Sequence, residues 1–85
     1  MTETREVRIK RLQMRSMRRG IKEMDLILSA YAERNLNTMD AAGLDLYDAL
    51  LKENDQDLYQ WVTGQMNTPD PYADLIAHIT QTFQK

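Results

Sequence analysis

Apolar residues recur along this chain at steps of three and four, the spacing that gathers them on one face of an α-helix. No run of alternating β-branched residues, and no Asn-Gly or Asp-Gly pair, marks a β-hairpin. The first predicted helix covers about residues 5–19. At 100° per residue its Arg8, Arg11, Arg15, Arg18 and Arg19 share an arc of roughly 100°. Val7, Met14 and Met17 fall on a different face, and Met14, Met17 and Met24 stand at core spacing. Gly20 then stops or bends the chain.

The second helix is predicted from Ile21 to Arg34, with Ile21, Met24, Leu28 and Tyr31 inward. Asn35-Leu36-Asn37 is a connector. Thr38 or Asp40 caps a third helix that ends near Lys52 and turns Leu44, Tyr47 and Leu51 inward. Asp55 is expected to cap a short fourth helix carrying Leu58, Trp61 and Val62. Asp70-Pro71 reads as the start of a fifth, with proline at the first helical position and Asp as the cap before it. That helix buries Tyr72, Leu75, Ile76, Ile79 and Phe83. Helices this short are marginal alone, so the fold rests on pooled apolar faces. The expectation is an all-α, compact five-helix bundle, a single domain over residues 1–85 with disorder at its first and last few residues.

Composition narrows the function more than the fold. The chain has 85 residues and no cysteine, which excludes a disulfide framework, a thiolate metal site and a cysteine nucleophile. No apolar run approaches the roughly 20 residues that span a bilayer, so no membrane insertion is expected. The net charge of -2 conceals a split. Residues 1–23 carry eight Lys and Arg against three Glu, and residues 24–85 carry three against ten Asp and Glu. The basic end reads as an interaction surface. Arginine there suits carboxylates or phosphates, although the acidic remainder opposes nonspecific nucleic-acid binding.

Catalytic chemistry has little to work with. His78, the single histidine, reads as a partly exposed surface residue, since a general base needs an orienting partner and a pocket. Asp45/Asp48 and Asp55/Asp57 are spaced as helix surface charge and caps, and neither pair fits a calcium loop. No glycine-rich phosphate cradle is present. No catalytic residue, metal site or stably held cofactor is expected, and the inventory argues against an enzyme. Trp61 is read as core with part of its ring exposed.

One segment gives this picture a direction. Arg18-Arg19-Gly20-Ile21-Lys22-Glu23-Met24-Asp25 resembles the R-G-x-x-E signature of the SdhE family, the bacterial succinate dehydrogenase assembly factors whose mitochondrial relatives are the assembly factor 2 proteins. A basic first helix leads into it, as in the family. Leu46-Tyr47-Asp48-Ala49-Leu50-Leu51 is similar to the family's third-helix segment, and Asp55-Gln56-Asp57-Leu58-Tyr59-Gln60-Trp61-Val62 to its block D-x-D-[LI]-[FY]-x-W. Nearly the whole chain is covered; about residues 1–6 and 80–85 match nothing in particular.

The resemblance implies an assembly factor, or chaperone, that binds the flavoprotein subunit of succinate dehydrogenase, and in some bacteria that of fumarate reductase. It promotes covalent attachment of FAD to that partner, so the flavin is held by the client and not by this chain. Arg19, Gly20 and Glu23 match the signature and are the expected partner contacts, with Arg18 and Asp25 beside them and Asp57 and Trp61 secondary. Gly20 would let a partner backbone approach closely, and Glu23 either meets the partner or pairs with Arg19 at i, i+4. A monomer in the cytoplasm is expected. The alternatives are an antitoxin-like regulator that binds a toxin and, behind it, nucleic-acid binding through the arginine face.

Overall fold

The computed structural model describes residues 3–83, with the side chain of Phe83 outside the description. The expected burial of Phe83, and the expected disorder of the extreme ends, therefore lie outside the described residues. Five helices follow one another: α1 (Arg5–Arg15), α2 (Lys22–Asn35), α3 (Ala41–Leu50), α4 (Asp55–Val62) and α5 (Ala73–Phe83), with a 3-10 turn at Leu36–Thr38 between α2 and α3. No strand occurs among the described residues. The all-α expectation holds. The radius of gyration, 12.2 Å, is close to the roughly 12 Å of a compact chain this long.

One apolar cluster unites the helices. Leu12 of α1, Met24, Leu28 and Tyr31 of α2, Leu44, Tyr47 and Leu50 of α3, Leu58 of α4 and Ile79 of α5 are almost wholly buried within it. Each helix contributes the face that its spacing predicts, except α1. There the inward residues are Ile9, Leu12 and Ser16, while Met14 and Met17 are 68% and 47% exposed. Met14 and Met17 did not identify the buried face, because Ile9 and Leu12 lie roughly 140–160° from Met14 around the helix, whereas Met24 of α2 is buried as its spacing predicts.

The first helix also ends earlier than expected. Ser16 is fully buried; its hydroxyl donates to the Leu12 carbonyl at 2.8 Å and lies 2.6 Å from the Tyr47 hydroxyl. A serine that bonds back to the preceding turn competes with helix continuation. The helix stops at Arg15, so Arg18 and Arg19 leave the arginine face. Tyr47 is the anchor of this corner, and burial pushes its phenol up to about 12.

Two starts differ from the sequence expectation as well. Asp40 does cap α3, accepting from the Gly43 amide at 2.8 Å. In α4 the cap is Asn54, whose side chain accepts from the Gln56 amide, and Asp55 is the first helical residue. Pro71 does not take the first position of α5. The Asp70–Pro71 peptide is cis, the Tyr72 N–H donates to the Pro69 carbonyl, and α5 begins at Ala73.

Candidate functional site

The basic face of α1 is met by acidic groups of the same chain. Arg8 pairs with Asp45, and Arg15 with Asp48. Arg11 reaches Glu3 at 2.7 Å and Asp48 at 3.6 Å. Asp45 and Asp48 lie three residues apart on α3, so they form one acidic row against the arginine row. Burial alone would raise the Asp48 carboxyl, but the Arg15 hydrogen bond and charge, with Arg11 behind it, hold it below its ordinary value. Glu3 is lowered by its Arg11 hydrogen bond. Much of the charge that suggested an external acidic partner is thus satisfied internally.

Beyond α1 the chain turns sharply to reach α2. Arg18 adopts a left-handed conformation, with φ of 56°. Its amide donates to Asp25 at 2.9 Å, and Asp25 also accepts from the Ser29 hydroxyl at 3.2 Å. A non-glycine residue in this region persists only where its surroundings enforce it, and such residues cluster at functional sites.

Arg19 is folded inward. Its Nε and Nη2 donate to Asp55 Oδ1 at 2.9 and 2.6 Å. Nη2 also reaches the Leu51 carbonyl at 3.1 Å, and Nη1 the Arg15 carbonyl at 2.9 Å. The Arg19 and Asp55 side chains are only 12% and 15% exposed. The other carboxylate oxygen, Oδ2, accepts the Gly20 amide. A Cβ at Gly20 would sit 3.2 Å from that oxygen, so the missing side chain makes room first for Asp55. The i, i+4 pairing of Arg19 with Glu23 does not form; Asp55 takes the guanidinium instead.

What faces outward is a smaller set. Gly20, Glu23 and the Arg18 side chain are exposed. Glu23 stands in the first turn of α2, where the helix dipole favours a carboxylate, and no hydrogen bond or ion pair holds its side chain among the described residues. Gly20, Ile21, Asn54, Asp55 and Gln56 line an open recess of about 420 Å³ beside the loop.

The second sequence block divides in two. Asp55 belongs to the loop, whereas Asp57 is exposed in the first turn of α4. Trp61 lies six residues along α4, roughly 9 Å by helical rise. It is half-buried and stacks on Tyr72, ring centroids 6.1 Å apart. The Tyr72 hydroxyl donates to Glu53 at 3.2 Å; burial, then that carboxylate, pushes its phenol up. Trp61 therefore serves the α4–α5 corner and is not gathered with Gly20 and Glu23. His78 is exposed, its Nδ1 2.8 Å from the Tyr31 hydroxyl. Asp55 is the site residue that sequence reasoning missed. It read as a cap, yet Asn54 beside it is an equally good cap and left the carboxylate free to turn.

A family model described as the flavinator of succinate dehydrogenase matches residues 10–83, a span that includes the loop and both ends of its Asp55 bridge. The chain belongs to this family. Among the flavinator family's curated members it is similar to succinate dehydrogenase assembly factor 2, mitochondrial, of Meyerozyma guilliermondii, with 41% identity over 98% of this chain and 62% of that protein. The Danio rerio protein of the same name is 36% identical over 98% of this chain and 54% of its own length. The Candida glabrata protein is 50% identical over 68% of this chain and 38% of its own. The chain thus spans about half the length of the curated relatives it matches.

Those names correct one expectation. The relatives are mitochondrial proteins, and the cytoplasmic assignment is withdrawn. No described helix is long and apolar enough to cross a membrane.

Proposed function

We propose that this chain binds the flavoprotein subunit of succinate dehydrogenase during its assembly and promotes covalent attachment of FAD to that subunit. Membership of the flavinator family supports the client and the reaction. The assembly-factor names of the relatives support a helper role, not an enzyme's. The flavin is cargo of the client, and the chain's part is to grip the client in a reactive arrangement.

The partner surface we propose is the loop and first turn of α2. Gly20, Glu23 and Arg18 are its outward contacts, and Arg19 and Asp25 hold it from within. The observation that carries this assignment is the contrast between a strained, internally braced turn and the unpaired Glu23 it presents. Asp57 and Trp61 are left to α4 and its packing. The inward pairing of Arg8, Arg11, Arg15 and Arg19 weighs against nucleic acid, because counterion release needs free cations.

A pull-down with the purified flavoprotein subunit tests the surface. Wild type is expected to retain the subunit. Glu23→Ala is expected to fold normally, since its side chain is exposed and unpaired, and to retain little of it. Equal retention by both would remove Glu23 from the interface.

A further inference from the structure

The loop that carries the signature is fastened from outside its own segment. Asp55 reaches it across 36 and 35 positions of sequence to hold Arg19 and the Gly20 amide. Four of the five N–H donors of the Arg19 guanidinium are engaged, to Asp55 twice, to Leu51 and to Arg15. A guanidinium so nearly saturated, on a side chain only 12% exposed, has little left to offer a partner. Asp55 has no competing duty, because Asn54 caps α4.

We propose that Asp55 is a positioning residue for client binding, and that Arg19 acts through Asp55 rather than by touching the client. The clamp fixes the turn before the encounter, so Gly20 and Glu23 meet the partner in one geometry and the ordering of the loop is not charged to binding. Gly20 belongs to the same device. Its missing Cβ lets the carboxylate reach the backbone amide, and any side chain there presses on Asp55. The inference rests on the loop as the client surface, proposed above.

The test measures affinity for the purified flavoprotein subunit by calorimetric titration, for wild type, Asp55→Ala, Arg19→Gln and the double variant. Amide hydrogen exchange at Gly20 is followed alongside. Asp55→Ala is expected to weaken binding about tenfold or more, equivalent to about 1.4 kcal/mol, and to speed exchange at Gly20 while amides within α2 and α3 stay protected. Arg19→Gln is expected to weaken binding comparably. The double variant is expected to bind within about twofold of the weaker single variant, because one clamp is lost in every case. Losses that multiply in the double variant would show Arg19 touching the client and overturn the proposal. So would wild-type affinity in Asp55→Ala with Gly20 exchange released. If Asp55→Ala fails to fold, Asp55→Asn carries the same prediction, since its amide points a donor at Arg19 or at the Gly20 N–H. No binding by wild type would instead bring down the client assignment itself.

Discussion

At the scale of residues, Arg18 shows most directly that the loop answers to something other than local preference. A left-handed L-residue is disfavoured by roughly 1–2 kcal/mol, a penalty glycine avoids. Arg18→Gly is therefore expected to leave the chain as stable or up to about 1 kcal/mol more stable in urea unfolding, despite glycine's extra freedom in the unfolded state. A loss of about 1 kcal/mol or more would mean that the Arg18 side chain itself braces the turn. Legibility also divides at this scale. The resemblance located residues 18–25, and Glu23 is exposed as a contact must be. The same sequence could not show that Arg19 turns inward, because its partner stands 36 residues away and looked like a cap. Local spacing reports which residues share a helix face; it is silent on which distant carboxylate completes a guanidinium.

Among elements, the seam between α1 and α3 is electrostatic at its rim and apolar beneath. Asp48 joins Arg15 and Arg11 there, and its carboxyl is held below the ordinary 3.8. A group with a lowered folded-state pKa adds stability at neutral pH, and that contribution fades as pH falls below its ordinary value toward the folded one. Asp48→Asn is expected to lower stability at pH 7 by up to about 1 kcal/mol, and less in high salt. At an acid pH well below the ordinary 3.8, where the carboxyl is protonated in both states, the variant and wild type should converge. Thermal melts at both pH values check this; an undiminished difference in acid would place the effect in packing. The faces of α2, α3, α4 and α5 were readable from apolar spacing alone. For α1 it failed because Met14 and Met17 mimic a core stripe, while the true stripe ends in a polar residue, Ser16, paid for by Tyr47. The acidic row of α3 was visible as Asp45 and Asp48 and was read as solvated charge, since its complement lay on another helix.

On the scale of the whole molecule, the charge split acquires a structural meaning. Arg8, Arg11, Arg15 and Arg19 of the basic end close on Asp45, Asp48 and Asp55 of the acidic remainder, and the short turn between α1 and α2 presents Gly20 and Glu23 outward. Asp25 and Asp55 brace that turn from two sides, one from α2 and one from α4. In the proposed function this braced turn is the stiff edge that meets the client. The most direct measurement is covalent flavin on the succinate dehydrogenase flavoprotein subunit, read by in-gel fluorescence in cells lacking any other family member. With wild type restored, the fluorescent band is expected to return. With Glu23→Ala or Gly20→Arg at equal protein levels, it is expected to stay near the level of cells without the chain. A full-strength band with both variants would contradict the claim that this turn delivers the function.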